Sequence, residues 1–191
     1  YPSEFDADAW VRAIKAAGAK YITITTRHHD GFSLFKSSAS TYNTVDATPF
    51  KRDVIKEMAD ACQRHGIKLH LYYSHLDWGR EDYPQGRTGL GTGRQKEKAD
   101  WISYYNFMNT QLTELLTHYG PIGAIWFDGW WDHDSDAKPF DWQLEAQYAM
   151  IHKLQPQCLI GNNHHQTPNP GEDIQIFERD LPGENKAGLS G

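Results

Sequence analysis

The sequence predicts an α/β fold, and within it a (β/α)8 TIM-like barrel, carried here as one partial barrel domain (1–191) of about five consecutive βα units. Three observations lead there. Amphipathic helical stretches alternate with short apolar strands, the pattern of βαβ units around a parallel sheet. Polar, chemistry-bearing residues follow the strands directly: His28-His29-Asp30, Ser74-His75-Leu76-Asp77, Asp128 and Asn162-Asn163-His164-His165. Barrels collect their active sites from the C-terminal ends of several strands. No Gly-x-Gly-x-x-Gly follows any strand, so the nucleotide-binding open sheet loses its main support. Five strands do not close a barrel, for which eight units and ~250 residues are usual, so barrel strands are expected to be missing at one or both ends.

Each element has a local reason. Asp6 and Asp8 offer an N-cap, apolar residues recur at helical spacing from Ala9 to Ala17, and Gly18 ends that helix. Tyr21-Ile22-Thr23-Ile24-Thr25 is rich in β-branched residues and reads as a strand. The second unit is a helix from Arg52 to His65, a stop at Gly66 and a strand from Lys68 to Tyr73. The third runs as a helix from about Lys98 to His118, then Gly120-Pro121, then a strand over Ala124-Ile125-Trp126-Phe127. A fourth helix spans Trp142 to Leu154, with Pro156 before the strand Cys158-Leu159-Ile160. A loop holding Pro168, Pro170 and Gly171 leads into a fifth strand, Ile174-Gln175-Ile176-Phe177. The stretch from Tyr83 to Gly93, with Gly86, Gly89, Gly91 and Gly93, reads as a long flexible loop on the active face.

Composition narrows the function. Apolar residues make up 39% and charged residues 23%, which excludes a mainly disordered chain. No window approaches ~18 consecutive apolar residues, so no transmembrane helix is expected. The start, Tyr1-Pro2-Ser3-Glu4, shows no signal-peptide pattern and no initiator Met, as a piece of a longer chain would. Net charge is −6 with the basic residues scattered, which argues against nucleic acid and anionic membranes as partners. Cys62 and Cys158 lie in apolar contexts and read as two buried free thiols, with a disulfide as the lesser reading. Aromatics reach 13%, with seven Trp and ten Tyr beside ten His, a surplus that suits a pocket stacking on and hydrogen-bonding a sugar.

Asp128 is the strongest chemical candidate. It ends an apolar strand, Gly129-Trp130-Trp131 follows it, and alternation puts Trp126 on the same side beneath it. It reads as a nucleophilic or stabilising carboxylate; a simple cap, or a metal ligand, is the competing reading. His28 and His29 are neighbours after a strand, so both cannot grip one metal ion unless the chain has already turned. They read as hydrogen-bonding partners of a substrate. Tyr72 and Ser74 share a face of their strand, and Tyr72 either donates to a substrate oxygen or fills the core. Glycoside hydrolysis needs a second carboxylate, for which Glu172, Asp173 and Glu178 are the candidates. Neither a Gly-x-Ser-x-Gly elbow nor a Cys-His pair points to acyl transfer.

The segment from Phe5-Asp6-Ala7-Asp8-Ala9-Trp10 through Ala17-Gly18-Ala19-Lys20-Tyr21 to Arg27-His28-His29-Asp30-Gly31-Phe32 resembles the α-L-fucosidases of glycoside hydrolase family 29. So do Tyr72-Tyr73-Ser74 with Asp77-Trp78, and Trp126-Phe127-Asp128-Gly129. The resemblance implies an exo-acting, retaining double displacement on terminal α-L-fucose, with a fucosylated glycan or glycoside as partner. By that resemblance Asp128 is the nucleophile, and His28, His29, Tyr72, Trp126 and Trp78 bind the sugar. It implies no metal and no organic cofactor, two carboxylates supplying the chemistry, and a secreted, periplasmic or lysosomal setting. The acid/base matches Glu172-Asp173 in one branch of the family and lies beyond Gly191 in another. The family's first barrel strand, with its sugar-binding histidine, is expected before Tyr1. Where many members carry an arginine, this chain reads Asn163-His164-His165. A catalytically silent sugar-binding barrel and a metal-dependent barrel hydrolase are the alternatives.

Overall fold

The structure, a computed structural model, describes residues 3–93 and 96–178. Five parallel strands form one sheet in chain order: β1 (Tyr21–Arg27), β2 (Lys68–Ser74), β3 (Ala124–Asp128), β4 (Leu159–Asn162) and β5 (Ile174–Gln175). A doubly wound open sheet reverses strand order at a switch point. This one never reverses, which is the winding of a (β/α) barrel. Between the strands lie α1 (Ala7–Ala16), α2 (Val54–His65), α3 (Trp101–His118) and α4 (Leu144–Leu154).

Caps set where the helices start. Asp6 accepts from the Ala9 amide at 3.0 Å, Asp53 from Lys56 at 2.8 Å and Asp100 from Ser103 at 3.0 Å. The second and third helices therefore begin after their aspartates, at Val54 and Trp101, rather than at Arg52 and Lys98. Gly66 closes α2 in the left-handed region at φ +69°, as its sequence position predicts. The sequence predicts a fourth helix that opens at Trp142. Trp142 is buried instead against His133, Phe140 and Trp101, and α4 starts at Leu144. β1 and β3 run on to Arg27 and Asp128, and β5 stops at Gln175, short of Phe177.

The core lies between the outer face of the sheet and the helices. Leu69, Leu71, Tyr73, Ile125, Phe127 and Ile160 meet Val11, Ile55, Met58, Met108, Leu112 and Ile151 there, all buried. The alternate residues face inward: His70 and Tyr72 on β2 and Trp126 on β3 line a cavity of about 1350 Å³ that runs the length of the inner face. Cys62 and Cys158 are free and buried, and burial pushes their thiols up to about 11 and about 12. Among the described residues no helix is long and apolar enough to cross a membrane.

Candidate active site

Register brings the polar ends of the strands to one level. Ser74 at the end of β2 pairs with Asp128 at the end of β3, and Phe127 pairs with Asn162, so Asn163 lies alongside Asp128. Asp128 is buried and held by donors. Its Oδ1 accepts from the Gly129 amide at 2.8 Å and Trp131 Nε1 at 3.0 Å, with Asn163 Nδ2 at 3.4 Å. Its Oδ2 accepts from the Tyr72 hydroxyl at 2.7 Å. Burial, with the Asp128 charge beside it, pushes the Tyr72 phenol far up, so it remains a donor. Trp126 lies on the same cavity wall, as strand alternation predicts. The Gly129 contact ties Asp128 to the backbone where the next turn begins.

A register shift between Thr25 and Arg27 marks where β1 bends. Beyond it the chain has turned, and the rings of His28 and His29 lie 4.1 Å apart on the same side of the sheet. His28 is exposed and stacks on Tyr72, with centroids 5.1 Å apart. His29 is buried, with Nε2 3.6 Å from Asp128 Oδ2 and Nδ1 2.7 Å from Ser74 Oγ. Burial lowers His29 to about 4, more strongly than the Asp128 charge raises it. Among the described residues no group of three His, Cys, Asp or Glu side chains is arranged to hold a metal ion.

The acidic candidates separate. Glu172 accepts from Tyr148 at 2.8 Å, bonds His164 at 2.8 Å and accepts from the Asn169 amide at 2.9 Å, and its side chain is 1% exposed. Burial raises this carboxyl, but His164, Tyr148 and Asn169 outweigh it and hold it below the usual range. Asp173 bonds the Ile160 amide at 2.9 Å and His152 at 3.1 Å, near the start of β4 rather than its end. Neither lines the cavities that hold Asp128. Glu178 lines both. Its Oε2 accepts from Asn163 Nδ2 at 2.9 Å, the same amide that reaches Asp128. One amide nitrogen thus reaches both carboxylates.

Side chains behind the site fix its loops. Buried Arg27 donates to Asp77 at 2.5 Å, the Ser74 carbonyl at 2.6 Å and the Tyr104 hydroxyl at 2.8 Å. Asp77 in turn accepts from the Gly79 and Arg80 amides. Trp78, expected to bind sugar, backs His29 edge-on and donates its Nε1–H to Thr88 at 3.0 Å; it does not line the Asp128 cavities. The glycine-rich loop is anchored in its first half. Buried Asp132 accepts from the Tyr83 hydroxyl and from the Thr88 amide and hydroxyl, and a Cβ on Gly86 would lie 2.3 Å from the Asp132 carbonyl. Asn163 and Ser74 stand among the strand-end polar residues of the sequence but carry no assigned role there. Their positions at the strand ends were the available signal.

The sequence profile of the alpha-L-fucosidase family matches residues 1–189. "Alpha-L-fucosidase 1" of Arabidopsis thaliana is 32% identical over 162 residues, covering 83% of this chain and 28% of that protein. The chain thus spans under a third of the length of this relative. Among solved structures, AlfC in complex with Fuca(1,6)GlcNAc superposes with a TM-score of 0.78 at 30% identity, over 95% of this chain and 58% of that one. Alpha-L-fucosidase isoenzyme 1 from Paenibacillus thiaminolyticus gives 0.73 at 39% identity, over 84% and 38%. The family profile, the parallel barrel winding and the strand-end chemistry agree: this chain belongs to the α-L-fucosidase family, glycoside hydrolase family 29.

Proposed function

We propose that the protein carrying this chain is a retaining exo-α-L-fucosidase that releases terminal α-L-fucose from fucosylated glycans or glycosides, with Asp128 as nucleophile. One observation carries the reading: Asp128, fixed by four donors, shares a cavity and an amide donor with a second carboxylate, Glu178. Asp128 attacks the anomeric carbon as the bond from that carbon to the leaving oxygen breaks. Glu178, protonated, gives its proton to the leaving oxygen. Ionised Glu178 then takes a proton from water, whose oxygen attacks the same carbon and frees Asp128 with net retention. Contacts to Glu172 and Asp173 leave those groups as supports of the β4–β5 corner.

The test is turnover of aryl α-L-fucosides by the full-length protein and its Glu178→Gln variant. Loss of a general acid costs ~10²–10⁴-fold on a substrate with a poor leaving group, and far less on a dinitrophenyl fucoside. Equal losses on both substrates remove Glu178 from the acid role. Fucose binding without any turnover by the unaltered protein supports the silent sugar-binding barrel instead.

A further inference from the structure

Ser74 is fully buried at the end of β2, and no step above uses it. A serine hydroxyl has one hydrogen to give. Ser74 Oγ lies 2.7 Å from the Leu76 carbonyl, which can only accept, so the hydroxyl donates there. The same Oγ lies 2.7 Å from His29 Nδ1. With its hydrogen committed, Oγ accepts, and the hydrogen in that contact belongs to Nδ1. Burial keeps His29 from taking a second proton near neutral pH, its value standing at about 4. The charged or titratable groups acting on the ring are Asp128, His28, Asp132 and Arg27. Nε2 is then a bare lone pair, 3.6 Å from Asp128 Oδ2, which is also an acceptor. Nε2 is thus an acceptor in the cavity lined by Asp128, placed to take a hydrogen from a ligand donor.

We propose that Ser74 is a positioning residue that locks His29 in the Nδ1–H tautomer, so that Nε2 accepts a hydrogen bond from a ligand hydroxyl seated against Asp128. This rests on the fucosidase reading only in taking that hydroxyl to be a sugar's. In water the Nε2–H form is the commoner neutral tautomer of histidine, so the site must impose the other one. The backbone supports the arrangement, because the Ser74 carbonyl is held by Arg27 Nη2 at 2.6 Å. A buried serine between a strand end and a site histidine therefore sets the direction of a hydrogen bond it does not itself make.

The experiment is long-range ¹H–¹⁵N correlation on the full-length protein labelled with ¹⁵N-histidine, with His29→Gln assigning the resonances. The unaltered protein is expected to show His29 with Nδ1 protonated and Nε2 bare. Ser74→Ala is expected to shift the population toward Nε2–H, and Ser74→Thr to restore the original pattern. Ser74→Ala is also expected to lower kcat/KM on an aryl α-L-fucoside about tenfold, the scale of one lost hydrogen bond, with Ser74→Thr recovering most of it. An Nε2–H signature in the unaltered protein overturns the assignment, and needs no variant to fold. An unchanged His29 pattern in Ser74→Ala overturns it equally. The Nδ1–H pattern in a protein that turns over no fucoside supports Ser74's role and counts against the fucosidase reading alone.

Discussion

Asp128 divides its two oxygens between different tasks. Oδ1 is committed to the Gly129 amide and the Trp131 indole, while Oδ2 accepts from Tyr72 and faces His29 across 3.6 Å. In the proposed mechanism the less encumbered Oδ2 is the attacking oxygen. Asp128→Asn is expected to keep the fold and lower kcat on the order of 10⁴-fold or more, the range for losing an attacking or orienting group from an otherwise intact site. Tyr72→Phe removes one hydrogen bond to a charged acceptor, worth about 1.5–3 kcal/mol. It is expected to lower kcat more than it raises KM, because the contact orients the carboxylate proposed as nucleophile; steady-state kinetics on an aryl fucoside separate the two. The candidates that strand alternation places (Trp126, Asp128, Tyr72) were legible in the sequence, since a period of two fixes the side each faces. The Glu172, Asp173 and Glu178 trio was not. Their orientations depend on Tyr148, His164, His152 and Asn163, which lie on other elements.

At the scale of elements, the buried Arg27–Asp77 pair joins the end of β1 to the loop after β2. Burial opposes the Arg27 charge, but Tyr104, Tyr73 and Asp77 outweigh it and hold the guanidinium protonated. Asp77→Ala would strand that charge and release the Gly79 and Arg80 amides. Breaking a buried pair costs about 3–5 kcal/mol, so urea denaturation is expected to show a loss of that size. A change below about 1 kcal/mol would mean that the loop holds without the pair. The βα alternation was readable because α1, α2 and α3 each carry an aspartate cap at the start, and α2 a glycine stop. α4 follows Gln143 with no side-chain cap, and its start is not marked in this way. The bend after Thr25 was not readable, since nothing in Thr-Thr-Arg announces a register shift. Yet that bend brings His28 and His29 to one side. The anchoring of the glycine-rich loop was hidden for a related reason: Asp132 reaches it from 44 residues away.

For the molecule as a whole, two buried histidines tie stability to pH. His29 and His75 both stand at about 4 against 6.5 for a free side chain, burial being the largest cause in each. The unfolded chain therefore takes up protons between those values while the folded chain does not, and stability falls as pH drops from about 6.5 to about 4. Each group contributes up to about 3 kcal/mol at the acid end. The urea midpoint is expected to be lower at pH 5 than at pH 7.5, with part of the difference removed in His75→Gln. A midpoint flat over that range would show that both rings are hydrated. The barrel winding itself follows from sequential parallel pairing, and it gathers strand-end residues more than a hundred positions apart into one cavity. The claim resting on that gathering is covalent catalysis by Asp128, and the most direct measurement is peptide mapping after the full-length protein reacts with a 2-fluoro-fucosyl probe. The account predicts a fucosyl ester on the peptide containing Asp128 and on no other carboxylate; an adduct on Glu172, Asp173 or Glu178, or turnover of the probe through a protein that carries Asp128→Asn, would contradict it.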